Sequence, residues 1–158
     1  MNRAIQAVAS DGMAMSYDVA YADTDAGGIV YHARYVEMAE RSRNRTMAAM
    51  GMPVQQMLAR FSVQFVIREV RALCHRPALV GDRLNLTSGV TTMSQVRVNW
   101  RTRIACESEI ICDVEAQIAA FDPVSRRASL MPDTLMVLLR QTPRMAPLRR
   151  VPTMKTGF

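Results

Sequence analysis

Two hydrophobic periods divide the chain. Between residues 33 and 50, Tyr35, Met38, Ala39, Ser42, Thr46 and Ala49 recur at helical spacing, with Glu37, Arg41 and Asn44 opposite. After Phe61 the period drops to two. Val96, Val98, Trp100, Thr102, Ile104 and Cys106 alternate with Arg97, Asn99, Arg101 and Arg103. Ile110, Cys112, Val114, Ala116, Ile118 and Ala120 alternate with Asp113, Glu115 and Gln117. Strands of this kind have one buried and one wet face, as in an antiparallel sheet.

Turn chemistry sets the remaining elements. Gly51 supplies a helix C-cap, and Pro53 opens a second short helix over 54–59. Glu107-Ser108-Glu109 fits the turn of a hairpin. Breaks at Arg76-Pro77, Gly81-Asp82 and Asp122-Pro123 frame further strands at 61–73 and 83–91, and a closing helix is expected over 132–139. An imperfect alternation over 13–20 predicts a first strand. The fold class is α+β: a strand, one long helix, then four or more antiparallel strands. Ala39, Ser42 and Thr46 are small enough to let a sheet approach the helix closely. One helix covers a face of so long a sheet only if the sheet curls around it, leaving the other face to solvent or another subunit. Residues 1–12 are expected to be a flexible leader, 13–140 a single domain, and 141–158 a basic, disordered tail.

Charge changes this picture little. The net charge of +6 suggests nucleic acid or a membrane surface until it is located. Without the five basic residues from Arg140 onward, 15 Lys+Arg face 14 Asp+Glu, so the body is nearly neutral. No nucleic-acid partner is expected. Cys74, Cys106 and Cys112 are odd in number and lack CxxC spacing, which reads as reduced core thiols in a cytoplasmic protein. No window approaches the roughly 18 apolar residues of a transmembrane helix, so a soluble protein is expected.

Candidate chemistry concentrates between Tyr21 and Arg43. A polar turn, Asp23-Thr24-Asp25, is closed by Gly27 and Gly28, and Ile29-Val30-Tyr31 leads to His32 at the helix start. The turn reads in three ways. Its carboxylates cap backbone amides, or it begins a calcium loop, or it carries a catalytic carboxylate. Calcium is rejected, because the twelfth position is Arg34 where a bidentate Glu is needed and Gly27 replaces a side-chain ligand. The other two remain open. A helix N-terminus favours anions and polarises a carbonyl oxygen during acyl transfer. His75 neighbours Cys74 on a strand, so the two side chains point to opposite faces and do not share a metal. No metal site, G-x-S-x-G, P-loop or dinucleotide fingerprint is found, and no cofactor is expected.

The run Tyr21–Tyr35 (YADTDAGGIVYHARY) followed by Glu40-Arg41 resembles the hotdog-fold acyl-CoA thioesterases of the 4-hydroxybenzoyl-CoA thioesterase family, in particular the bacterial subfamily encoded beside the tol-pal genes. Phe65-Val66-Ile67-Arg68, Arg76-Pro77-Ala78, Gly81-Asp82 and Asp122-Pro123 extend the similarity over about residues 14–135. The resemblance implies a long helix wrapped by a curved antiparallel sheet, in a homodimer or homotetramer with sites at the subunit boundary. It implies Asp25 as nucleophile or general base in hydrolysing short- or medium-chain or aromatic acyl-CoA, supported by His32 and Tyr21. Backbone amides at Gly28 and Tyr31 would hold the oxyanion. Arg34, Arg68, Arg76 and Arg126 are candidates for the CoA phosphates. Ala22 stands where the family often has an acid, and Cys74-His75 where it often has aromatics. The spacing of Asp25 and His32, without an Asn-Pro, disfavours the hydratases of this fold. A helix Glu as catalyst is disfavoured too, since Glu37 lies on the polar side and Glu40 faces Arg43 or Asn44. The rival expectation is a non-catalytic adaptor that binds acyl carrier protein or a membrane through the basic tail.

Overall fold

The computed structural model describes residues 13–149. A short strand β1 (Met15–Asp18) leads through a single 3-10 turn at Tyr21–Asp23 to the long helix α1 (His32–Ala49). A short helix α2 (Met57–Phe61) follows. Four long strands come next: β2 (Gln64–Cys74), β3 (Arg83–Met93), β4 (Arg97–Cys106) and β5 (Glu109–Asp122). A two-residue strand β6 (Arg127–Ala128) and helix α3 (Asp133–Gln141) close the fold. The sheet is antiparallel throughout, in the order β1-β3-β4-β5-β2, with β6 on β5. No helix among the described residues is long and apolar enough to cross a membrane.

Helix α1 ends where the sequence says it should. Gly51 adopts φ +82°, its amide bonds the Ala48 carbonyl, and the Met52 amide reaches back to Met47 O at 2.8 Å. These two bonds satisfy carbonyls the helix leaves open, and the left-handed residue between them favours glycine. The helix touches β2, β3, β4 and β5, so the sheet wraps it. Close approach depends on small side chains. Ser88 on β3 donates to Ser42 Oγ at 2.9 Å, and Thr102 on β4 donates to the Ala39 carbonyl at 3.4 Å. Around this seam lie two apolar clusters, one about Trp100, Met47, Ile118 and Leu135, the other about Tyr35, Met38, Leu86 and Ile104.

The helix face differs from expectation at three residues. Ala49 is exposed, while Arg43 and Met47 are buried. The outer face of the sheet also differs, because it is not simply wet. Arg101 and Asp113 are 7% and 2% exposed. Asp113 is enclosed by Arg101, Arg103 and His75, and Arg101 is in turn covered by the segment expected to be a disordered tail. After α3 the chain turns back across the sheet: Val90 N–H bonds Pro143 O at 2.8 Å, Met145 N–H bonds Val90 O at 3.1 Å, and Thr142 and Leu148 are buried. Arg101 donates Nη1 to the Ala146 carbonyl at 2.6 Å. The segment has no hydrophobic period because backbone groups make most of these contacts. Expectations for residues 1–12 and 150–158 lie outside the described residues.

Candidate active site

The turn before α1 gives its two carboxylates different surroundings. Asp23 is 4% exposed and fully used. Its oxygens accept from Tyr17 Oη at 2.8 Å and from the Ala20 amide at 2.9 Å, while the Arg34 guanidinium approaches to 3.8 Å. Tyr17 is pushed above its ordinary pKa by burial and by the Asp23 carboxylate it donates to, which keeps this hydrogen bond intact at neutral pH. Asp25 is exposed. The only bond its carboxylate makes to a described residue is local, from the Gly27 amide to Oδ1 at 2.8 Å. This bond orients the carboxylate and leaves its second oxygen free.

Asp25 lines a cleft of about 360 Å³ together with His32, Tyr35, Cys74, His75 and Arg76. The floor is fixed from below: Tyr35 is buried and its Oη accepts from the Ala78 amide at 3.2 Å. His32, the first residue of α1, packs its ring against Tyr31 with centroids 4.4 Å apart. No side chain caps the helix. The Arg34 amide is taken by Tyr31 O at 2.8 Å, but those of His32 and Ala33 have no partner among the described residues. The positive end of the helix dipole therefore opens beside the cleft.

Three expected site assignments change. The Gly28 and Tyr31 amides are unavailable to an oxyanion, since they already bond Asp25 O at 3.0 Å and Asp23 O at 2.8 Å. Gly28 serves the turn through its φ of +76°. Tyr21 is 84% exposed and does not line the cleft. Arg34 is tied to Glu37 at 2.6 Å and to the Ala22 carbonyl at 3.0 Å, so it braces the turn and is not free for a phosphate. Arg76 does reach the cleft, paired with Glu109 at 2.9 Å, and Arg68 is exposed at the bulge in β2. Arg126 sits in the turn after β5, its amide bonded to Asp122 O at 2.9 Å.

The expectation of three core thiols holds for Cys112 and fails at Cys74. Cys74 is exposed, and its Sγ lies 3.3 Å from that of buried Cys112, its partner across β2 and β5. His75 faces the other way, with Nε2 3.3 Å from Asp113 Oδ2. Burial alone would raise the Asp113 carboxyl, but hydrogen bonds and charge from Arg103 and Arg101 hold it below the ordinary carboxylate range. Among the described residues no group of three His, Cys, Asp or Glu could hold a metal ion.

A family model of the Thioesterase-like superfamily matches residues 19–139. The acyl-CoA thioester hydrolase YbgC of Escherichia coli O6:H1 is 30% identical over 124 residues, 78% of this chain and 92% of that protein. The 1,4-dihydroxy-2-naphthoyl-CoA hydrolase of Synechococcus elongatus is 24% identical over 125 residues, 78% of this chain and 92% of its own length. The crystal structure of Slr0204, a 1,4-dihydroxy-2-naphthoyl-CoA thioesterase from Synechocystis, shares the fold with a TM-score of 0.73 at 17% identity, covering 80% of this chain and 94% of that one. With its curled sheet around α1 and the cleft at the helix start, the chain belongs to the Thioesterase-like superfamily.

Proposed function

We propose that the protein hydrolyses acyl-CoA thioesters to the free acid and CoA, with Asp25 as nucleophile or general base. The carrying observation is the division of work within one turn: Asp23 is consumed by structure, and Asp25 stands free in a cleft beside unpaired helix amides. A thioester carbonyl in that cleft is attacked either by the Asp25 carboxylate, forming an anhydride that water opens, or by a water whose proton Asp25 takes. On either route the C–S bond breaks and one water is consumed. The His32 and Ala33 amides receive the developing oxyanion, in place of those of Gly28 and Tyr31. The thiolate of CoA leaves readily, so a strong general acid is unnecessary. Arg76 and Arg68 supply positive charge for the CoA phosphates. The site needs no cofactor beyond the CoA of its substrate, and it acts in the cytoplasm on this reading.

The working unit is a pair of chains joined through β2. This strand is 11 residues long and lies at the sheet edge. On its exposed surface it carries Val66, Ile67 and Val70. A long apolar edge is an aggregation hazard unless something covers it, and two-fold pairing with a second copy does so. The adaptor alternative relies on a free basic tail, and of that tail residues 142–149 are folded onto the sheet. The test is thiol release from short-chain, medium-chain and aromatic acyl-CoAs and from acyl carrier protein thioesters, by wild type and Asp25→Asn. Turnover by wild type that collapses in the variant is expected; equal, negligible release across the whole panel would refute the proposal.

A further inference from the structure

Arg43 is a buried charge with no function in the chemistry above. It lies on α1 at 8% exposure, and it forms no ion pair or side-chain hydrogen bond among the described residues. Burial pushes its guanidinium below its ordinary pKa, with Glu40 pulling the other way, yet arginine stays protonated at working pH. A cation so far withdrawn from water and bonded to no partner is costly, and Glu40 acts on it only at a distance, so it has capacity for a bonded counter-charge. The head group is not sealed in. Among the described residues, the buried side-chain atoms shut off from solvent without a partner are Thr46 Oγ1 and Trp100 Nε1, and no Arg43 nitrogen is among them. Arg43 instead lines a recess of about 210 Å³ walled by Met47, Met57 and Phe65, with the more exposed Glu40, Asn44 and Gln64 also lining it.

A planar guanidinium in an apolar-walled recess matches a carboxylate, which takes two parallel hydrogen bonds from it. We propose that this recess binds the free carboxylate of a dicarboxylic acyl group, so that the preferred thioesters carry a second carboxylate at the end remote from sulfur. This rests on the thioesterase reading and on pairing through β2. Within one chain the recess is too distant from Asp25 for a short acyl group: eleven residues of helix separate His32 from Arg43, about 16 Å along the axis. Ile67 lies opposite Ile118, and Cys74 opposite Cys112, so recess and cleft open on the same side of the sheet at opposite ends of β2. Antiparallel pairing of two β2 edges reverses one strand against the other. The recess end of one copy then lies beside the cleft end of its neighbour.

The test compares kcat/KM for glutaryl-CoA and pentanoyl-CoA, which match in length and differ in the terminal carboxylate, for wild type, Arg43→Lys and Arg43→Met. Wild type is expected to favour glutaryl-CoA. The glutaryl-to-pentanoyl ratio should fall about 10- to 100-fold in Arg43→Met, with Arg43→Lys in between. The same ratio in wild type and Arg43→Met would overturn the proposal, as would a wild-type preference for pentanoyl-CoA. If wild type hydrolyses neither thioester, glutarate itself becomes the probe, while the thioesterase reading stands or falls on the full acyl panel. Glutarate raising the melting temperature of wild type but not of Arg43→Met supports the recess; equal shifts, or none, overturn it. Loss of both activities together with dissociation of the pair would also overturn it, by assigning Arg43 to a partner carboxylate.

Discussion

Replacing each carboxylate of the Asp23-Thr24-Asp25 turn by its amide separates structure from chemistry, because the two are used so differently. Asp23→Asn keeps one acceptor oxygen and presents an NH2 where the other stood. Either Tyr17 Oη or the Ala20 amide, now bonded at 2.8 and 2.9 Å, then faces a donor, and the charge assisting both bonds is gone. Hydrogen bonds to a charged group contribute roughly 1.5–3 kcal/mol, and an orphaned buried donor costs about 1–3 kcal/mol, so a loss of ~2–4 kcal/mol is expected. In a domain of this size that lowers Tm by about 4–15 °C. Asp25→Asn retains the oxygen that accepts from the Gly27 amide, on an exposed side chain, so its Tm should move by no more than about 2 °C. Its kcat/KM should fall 100-fold or more, the scale of a lost nucleophile or general base, since an amide neither attacks nor takes a proton at neutral pH. Thermal melts and thiol-release kinetics on both variants decide the matter. If Asp23→Asn melts with wild type and abolishes hydrolysis while Asp25→Asn remains active, the assignment is reversed and the reasoning fails.

Asp113 predicts a pH dependence. Its carboxyl lies below the ordinary value in the fold, so its stabilising contribution is complete above the unfolded pKa of about 3.9 and is lost as pH falls through the folded one. Chemical denaturation should therefore show wild type losing stability below pH 4 more steeply than Asp113→Asn; parallel profiles would contradict this. A Cβ at Gly89 would meet Pro143 C and Met145 Cγ at 3.0 Å, so Gly89→Ala should displace the segment after α3 at a cost of roughly 1–3 kcal/mol and speed proteolysis at Arg144. An unchanged cleavage rate would mean the segment does not sit where described. The thiol of Cys112 is held far above its ordinary pKa by burial and by Cys74, so Cys74 is the attacking sulfur when diamide oxidises the pair. Directly opposed strand residues have Cα atoms about 4.5–5.5 Å apart, within disulfide range, and peptide mapping should find an intramolecular Cys74–Cys112 bridge. Recovery of intermolecular bridges alone would refute that pairing.

Local physics made much of this legible in advance. The spacing of Tyr35, Met38, Ala39 and Ser42 and the cap at Gly51 fixed α1, and alternation fixed β4 and β5, because side-chain direction repeats with the backbone. The Asp25 turn was recognisable from its crowded polar and glycine content. What escaped depended on partners distant in sequence. Nothing around Asp23 marks it as the buried carboxylate; Tyr17 and the fold of the turn do. The amides of Gly28 and Tyr31 looked available because their acceptors, Asp25 O and Asp23 O, depend on how the loop closes. Arg43 sits beside polar Asn44 on a helix whose width around the core could not be known without β2. Residues 142–149 carry Pro and Arg, the composition of a free tail, yet pack by backbone contacts.

That returning segment gives the molecule a seam along which it can open without unfolding. It is held to β3 by the bonds at Val90, and to the side chains of the sheet by the carbonyls that Ala146 offers Arg101 and Arg149 offers Arg71. These few attachments stand against the continuous ladders of β3, β4 and β5, so peeling should precede global unfolding. In native-state hydrogen exchange, the amides of Val90 and Met145 should exchange as one unit, ahead of the neighbouring ladder. During synthesis the same order holds in reverse: every strand of the sheet has been made before residues 142–149 emerge, and the Arg101–Asp113 pair stays in water until they dock.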